Sequence, residues 1–303
     1  MERTTSLRRR AAAQATVTEA KTRSKRTKRA VESASQIPQG LYMSMKIGAR
    51  PYMEDAFGQH VNDKAIVCGV FDGHGGAQCS NFCSVRVCEE VAEHELIQTS
   101  PNQVIADVFT ILDREFCETL GDSGAGSTAT VAVIRRCKQP PSLKMNVGYV
   151  GDSSAMLIRA DDSFEILTTN HHGSREDERE RIENLGGSIV FDQEDKVYRV
   201  GGMLAVTRSL GDAYLKPYVS GNPEVKEVVV ENSDVVVIGS DGLWDELSPE
   251  TIIKTLRQHG LDRGVKKLVD KAAKVGEDNV CAVVIDIGAA VANNLVEQDV
   301  TPR

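Results

Sequence analysis

No segment of this 303-residue chain approaches the roughly 20 apolar residues that a membrane span requires, and no apolar core follows Met1. These absences predict a protein that neither enters a membrane nor carries a secretory signal. The seven cysteines, Cys68, Cys79, Cys83, Cys88, Cys117, Cys137 and Cys281, are odd in number and include no Cys-x-x-Cys pair. They therefore suit reduced core thiols of an intracellular protein better than a disulfide framework. Cys79, Cys83 and Cys88, with His94 nearby, lie along an apparent helix at a spacing that fits no common structural zinc site. The Walker lysine is also missing after Gly124-Ala125-Gly126-Ser127-Thr128, so this small-residue stretch is read as close packing and not as a phosphate loop. No internal repeat is present.

Charge is unevenly spread along the chain. Residues 1–36 hold ten Lys and Arg against three Glu, a net of +7, which leaves −15 on the remainder of a chain whose total is −8. The acidic body argues against nucleic acid as a partner of the folded part, whereas bound divalent cations would offset part of its charge. The basic segment has almost no large apolar side chains and cannot offset the entropy of ordering, so residues 1–36 read as a disordered tail. Its Arg23-Ser24-Lys25-Arg26-Thr27-Lys28-Arg29 run suits a nuclear localisation signal, a mitochondrial-type targeting segment that Glu2 and Glu19 weaken, or a merely solubilising tail. Cytoplasmic or nuclear residence follows more directly than a mitochondrial one.

With 41% hydrophobic residues, the rest is sufficient for one large domain over residues 38–287, followed by a frayed tail over 288–303. Helices are expected from Ala77 to Leu96, with Phe82 and Val85 on one face, and from Ser100-Pro101, an N-cap serine before a first-turn proline. Val104, Val108, Leu112, Phe116 and Leu120 recur every four positions and mark the second helix's buried stripe. A charged helix over Arg175–Leu185, capped by Ser174, is expected to be mostly solvated. Two more helices follow Ser248-Pro249 and cover Val265–Val275, and short strands separated by turns favour antiparallel pairing.

Three apolar runs empty directly into aspartates. Ile66–Phe71 leads to Asp72, Val147–Gly151 to Asp152, and Val235–Ser240 to Asp241. Strands ending this way can aim carboxylates at one point, and carboxylates held together in a buried place need a cation to neutralise them. Glu54-Asp55 and Asp278-Asn279 add acidic groups, and a hard-oxygen donor set selects Mg²⁺ or Mn²⁺ over zinc. Any one of these Asp-Gly or Gly-Asp pairs alone would be an ordinary turn. Carboxylates drawn from five segments suit a two-metal centre and phosphate ester hydrolysis.

Seven motifs occur in order: Arg50-Pro51-Tyr52-Met53-Glu54-Asp55, Val70-Phe71-Asp72-Gly73-His74-Gly75-Gly76, Ser123-Gly124-Ala125-Gly126-Ser127-Thr128-Ala129, Val150-Gly151-Asp152-Ser153, Leu204-Ala205-Val206-Thr207-Arg208-Ser209-Leu210-Gly211-Asp212, Gly239-Ser240-Asp241-Gly242-Leu243-Trp244-Asp245 and Asp278-Asn279. The series resembles that of the PP2C family of metal-dependent protein serine/threonine phosphatases. The resemblance implies an α+β fold, a four-layer α/β/β/α sandwich of two stacked antiparallel sheets flanked by helices. It also implies hydrolysis of phosphoserine and phosphothreonine in phosphoprotein substrates by a hydroxide bridging two Mg²⁺ or Mn²⁺ ions, without a covalent intermediate. A monomer is expected.

By that resemblance Asp72 bridges the two ions, Asp241 and Asp278 complete one, and Glu54 with the Gly73 carbonyl completes the other. Asp55 orients metal-held water from behind. Asp152 and Asp245, with Asp241, hold a third, weaker ion. Arg50 clamps the phosphate with paired guanidinium donors, and His74 protonates the departing oxygen. One stretch departs from the pattern: Asn170-His171-His172-Gly173 stands where the family often has Asp-His-Lys-Pro, and it is read as a loop. Ala213–Gly221 is a short form of the family's variable flap. The alternative reading is a non-catalytic scaffold or phosphopeptide-binding module on the same fold.

Overall fold

Strands that are apolar on both faces make up the centre of the molecule, which is why the runs entering Asp72, Asp152 and Asp241 show little alternation. The computed structural model describes residues 37–137 and 142–295; the basic tail expected over 1–36 lies outside the described residues. In chain order the strands are β1 (Leu41–Lys46), β2 (Ala56–Val61), β3 (Ala65–Phe71), β4 (Gly73–His74), β5 (Gly126–Ser127), β6 (Ala129–Arg136), β7 (Leu143–Val150) and β8 (Ser154–Ile158). They continue as β9 (Phe164–Ile166), β10 (Ile189–Phe191), β11 (Tyr198–Val200), β12 (Leu210–Gly211), β13 (Glu224–Val229), β14 (Val235–Gly239) and β15 (Val280–Asp286). The helices are α1 (Gln78–Glu93), α2 (Pro101–Leu120), α3 (Glu176–Asn184), α4 (Asp241–Trp244), α5 (Pro249–His259), α6 (Leu261–Val275) and α7 (Ile287–Asn294).

Two antiparallel five-stranded sheets, ordered β1-β15-β14-β8-β9 and β13-β7-β6-β3-β2, face one another. Period-two alternation sorts each strand's side chains between layers. Ile66, Cys68 and Val70 of β3 join Val236 and Ile238 of β14 and Val283 and Ile285 of β15 in the core between the sheets. Ala65, Val67 and Phe71 face the other way, into a layer shared with α1 and α2. On the far side Val237 and Val284 pack with Ile252 and Leu256 of α5 and Val265, Leu268 and Val269 of α6. The helix–sheet–sheet–helix arrangement matches the fold expected from sequence.

Local differences have physical causes. Val104, Val108, Leu112 and Phe116 are buried as the stripe predicts, but Leu120, at the end of α2, is exposed. Phe82 packs against the helical core layer while Val85 is exposed, so the two do not share a buried face. Ser248 caps α5 by accepting from Thr251 N, whereas Ser100 makes no side-chain cap bond and α2 begins with Pro101 alone. Helix α3 has Arg175 at its N-cap position, and its acidic first turn, Glu176, Asp177 and Glu178, complements the positive end of the helix dipole. It is less solvated than expected, because Glu178 and Ile182 are buried.

The tail expected from residue 288 instead begins with α7, which extends through Asn294. Asp286 caps this helix by accepting from Ala289 N at 2.9 Å, and Ile287, Ala290 and Val291 enter the core between the sheets. Among the described residues no helix is long and apolar enough to cross a membrane.

Candidate metal centre and active site

Asp72 leaves β3 at one edge of the sandwich, where hydrogen bonds from the β5–β6 junction fix its backbone. Its N–H donates to Thr128 Oγ1 at 3.1 Å, while its carbonyl accepts from Thr128 N at 2.8 Å and from Ser127 Oγ at 3.1 Å. Thr128 Oγ1 also meets Ser153 Oγ at 2.7 Å, which ties Asp72 to the turn carrying Asp152. The Ser127-Thr128 pair assigned to packing thus supports the turn that carries Asp72 directly. Gly73 is required by close approach: a Cβ there would stand 2.5 Å from the Glu54 carbonyl and 2.7 Å from Ser80 Oγ.

The second sheet supplies the facing groups. Asp241 follows β14 and opens the short α4, whose Trp244 Nε1 donates to the carbonyls of Ser154 at 3.1 Å and Gly239 at 3.0 Å, fixing the turn that ends at Asp245. Ser240 accepts from Cys281 N through Oγ at 3.0 Å and donates to Asp55 Oδ2 at 2.7 Å. Asn279 performs a task the sequence did not disclose. Its Nδ2 donates to the carbonyls of Ile47 at 2.8 Å and Tyr52 at 3.0 Å, and its Oδ1 accepts from Glu54 N at 2.7 Å. Loop 47–54, which carries Arg50 and Glu54, is therefore fastened to the start of β15.

Electrostatics show how closely these carboxylates are gathered. Burial, then the charges of Asp55, Asp241 and Asp152, push Asp72 well above the usual carboxylate range. Burial raises Asp241 to about 7, with Asp152, Asp278 and Asp245 adding to it. Asp55 rises to about 6, again mainly by burial, although the Ser240 hydroxyl opposes the shift. Asp245 is raised by burial and by Asp152. Asp278 pairs at 2.7 Å with Arg50, in the middle of loop 47–54. Glu54 is held in place through its backbone, its carbonyl also accepting from Ser80 Oγ.

Among the described residues no three His, Cys, Asp or Glu side chains already stand in metal-ligating positions. The donor chemistry nevertheless fits hard divalent cations: Asp72, Asp241 and Asp55 are clustered, buried and mutually repelling, with carbonyl and carboxylate oxygen beside them. A cation placed among them relieves the repulsion that raises their pKa values.

Three histidines border the centre. His74 Nε2 lies 2.8 Å from Oδ2 of the fully buried Asp212. His172 Nε2 lies 2.8 Å from Asp152 Oδ2, and this hydrogen bond raises the pKa of the imidazole. The segment read as a loop thus contacts a candidate ligand. His171 points elsewhere: it is buried, Gly151 N donates to its Nδ1 at 3.1 Å, and burial lowers its pKa to about 4. The opposite directions of these neighbours account for their different environments.

The family model described as Protein phosphatase 2C matches residues 42–285. "Probable protein phosphatase 2C 71" of Arabidopsis thaliana is 35% identical over 257 residues, covering 82% of this chain but 55% of the relative. The chain thus spans about half the length of that relative. "Probable protein phosphatase 2C 59" of Oryza sativa subsp. japonica is 33% identical over 247 residues, covering 78% of this chain and 72% of the relative. The crystal structure of a phosphatase from a pathogenic strain of Toxoplasma gondii superposes with a TM-score of 0.74 at 21% identity, covering 85% of this chain and 94% of that one. At this identity the superposition speaks for the fold.

Proposed function

The chain belongs to the protein phosphatase 2C family, and on that premise we propose that it hydrolyses phosphoserine and phosphothreonine in proteins with Mg²⁺ or Mn²⁺. The observation that carries this reading is the meeting of Asp72 from one sheet with Asp241 from the other, each raised by burial and by its neighbours' charge. Asp72, Asp241, Asp278, Glu54 and the Gly73 carbonyl would hold two ions, and Asp152 and Asp245, with Asp241, would hold a third more weakly. When bound, the ions supply Lewis-acid activation of water and neutralise charge developing on the phosphoryl oxygens.

The protein's own groups do the rest. Arg50 binds phosphate oxygens through its guanidinium, and Asp55, fixed by Ser240, orients water behind the ligands. His74 gives a proton to the serine or threonine oxygen as its bond to phosphorus breaks. Direct attack by water suits this surrounding better than a thiol nucleophile. Cys68 is buried with its thiol pushed up to about 12, and burial followed by Asp55 and Asp72 also raises the Cys281 thiol well above its ordinary value.

The test is turnover of a phosphoserine peptide by the full chain in EDTA and after adding Mn²⁺ or Mg²⁺. Activity should vanish with the metal and return with it. Phosphopeptide binding without turnover at any metal concentration would favour the scaffold reading instead.

A further inference from the structure

A small sheet ordered β12-β5-β4 lies beside the metal centre, and its middle strand pairs Gly126 with His74 on one side and with Gly211 on the other. The next residue after Gly211 is Asp212, so the middle strand separates the backbones of a histidine and an aspartate. Their side chains meet over Gly126. A Cβ at this glycine would fall 2.1 Å from Asp212 Oδ2 and 2.4 Å from His74 Nε2. Only hydrogen at that position leaves room for the pair.

Asp212 is held unusually. Its backbone has φ 50° and ψ 45°, a left-handed conformation that costs a residue with a Cβ about 1 kcal/mol and persists where surrounding structure demands it. The side chain is fully buried, with Oδ1 lacking a hydrogen bond, while Oδ2 accepts from Ser209 Oγ and meets His74 Nε2 at 2.8 Å. Tyr214 is a further partner: burial, then the Asp212 charge and a side-chain hydrogen bond to Asp212, raise its phenol. A buried carboxylate with one oxygen unpartnered is expensive to retain for packing alone. His74 is 27% exposed and its Nδ1 carries no hydrogen bond within the described residues.

We propose that Asp212 is a positioning residue for the hydrolysis: it accepts from Nε2–H of His74, fixes the ring, and leaves Nδ1 to carry the proton toward the leaving oxygen. This rests on His74 being the proton donor in the proposed function. In the step, water oxygen bonds to phosphorus, the P–O bond to serine or threonine breaks with its electron pair on oxygen, and the Nδ1 proton moves to that oxygen. Water's own proton passes to solvent. Asp212 keeps its charge throughout and touches no reacting atom. Asp212→Asn retains the shape but can present its amide N–H₂ to Nε2, favouring the opposite tautomer.

The experiment compares Asp212→Asn, His74→Ala and the double variant on a phosphoserine peptide and on nitrophenyl phosphate, with Mg²⁺ occupancy and thermal melting as controls. A serine alkoxide needs a proton to depart and a nitrophenolate does not. Each single variant should lose about 10²-fold on the peptide and much less on the nitrophenyl ester, and the double variant should be no worse than His74→Ala. Equal losses on both substrates in His74→Ala would remove the histidine's role and this inference with it. Leaving-group dependence in His74→Ala but not in Asp212→Asn would overturn this inference alone. Should Asp212→Asn fail to fold, ¹⁵N NMR of the Mg²⁺-loaded wild type, with the His74 signal assigned by its loss in His74→Gln, reads the neutral ring directly: a proton on Nε2 is expected, and a proton on Nδ1 with bare Nε2 overturns the proposal.

Discussion

Arg50 Nη2 and Asp278 Oδ2 meet at 2.7 Å although 228 positions separate them in sequence. The proposed phosphate clamp is thereby bonded to a proposed metal ligand, and neither is deeply buried, with 52% and 38% of the side chains accessible. An exposed pair of this kind adds little to stability. Its use is geometric, since it aims a guanidinium at the place where phosphate would lie over the ions.

Arg50→Ala should therefore raise KM for a phosphoserine peptide and lower kcat/KM at least ~10-fold, with little change in melting temperature. Arg50→Lys should recover only part of the loss, because an ammonium cannot reproduce the paired donors. Steady-state kinetics with Mn²⁺ binding measured by calorimetry separate the outcomes. A fall in activity explained wholly by weaker Mn²⁺ binding would assign Arg50 to the metal site.

Much of this arrangement was legible in the sequence because strands buried on both faces leave continuous apolar runs, and their ends are marked by Asp72, Asp152 and Asp241. The ordered motifs fixed the fold class by resemblance, and the two facing sheets match it. Contacts between distant polar side chains left no such mark. Asn279 holding loop 47–54, Ser240 holding Asp55, and Asp212 meeting His74 all depend on the pairing of strands far apart in the chain. The αL turn at Gly211-Asp212 offered a signal in the Gly-Asp pair, but a turn carboxylate and a buried partner of histidine look alike in one sequence. Helix α7 was missed for a different reason: its Gly-Ala-Ala and Asn-Asn residues form a weak apolar pattern, and packing between the sheets decides its structure.

Asp72→Asn and Asp241→Asn should each lower turnover at least ~10²-fold and weaken Mn²⁺ binding, because each removes a ligand charge from the centre. Both variants should remain folded. Without added metal they should melt no lower than the wild type, since each replaces a buried carboxylate whose pKa is raised by burial and by neighbouring carboxylates. Calorimetric titration with Mn²⁺ and thermal unfolding in EDTA provide the two measurements. Near-normal turnover in both variants would refute the assignment of these aspartates.

The sharpest stability prediction concerns Glu178, which is buried at the foot of α3. It accepts from Arg208 Nε at 3.0 Å and Nη2 at 2.6 Å, from Arg181 Nη2 at 2.9 Å and from Thr207 Oγ1 at 2.8 Å. Burial alone would raise its pKa, but these donors outweigh burial and bring it from the ordinary 4.5 to about 2. Between those values the unfolded chain binds the proton more readily, so this contribution is complete above pH 4.5 and is lost as pH falls toward 2. Glu178→Gln removes the counter-charge of Arg181 and the nearer carboxylate at Arg208, which keeps only Glu224 at 3.6 Å, and should cost about 3–5 kcal/mol. His171, lowered to about 4 from 6.5 mainly by burial, weakens the fold over a higher window; Glu178 holds that pKa up, so its removal lowers it further, which alters the difference only near and below pH 4. The stability difference between wild type and Glu178→Gln should then hold steady from about pH 7 to 5 and shrink only below 4.5. Urea denaturation at fixed pH in EDTA measures it, the metal-centre carboxylates cancelling in the difference. A difference that already shrinks between pH 7 and 5 would show that Glu178 is not the group being protonated.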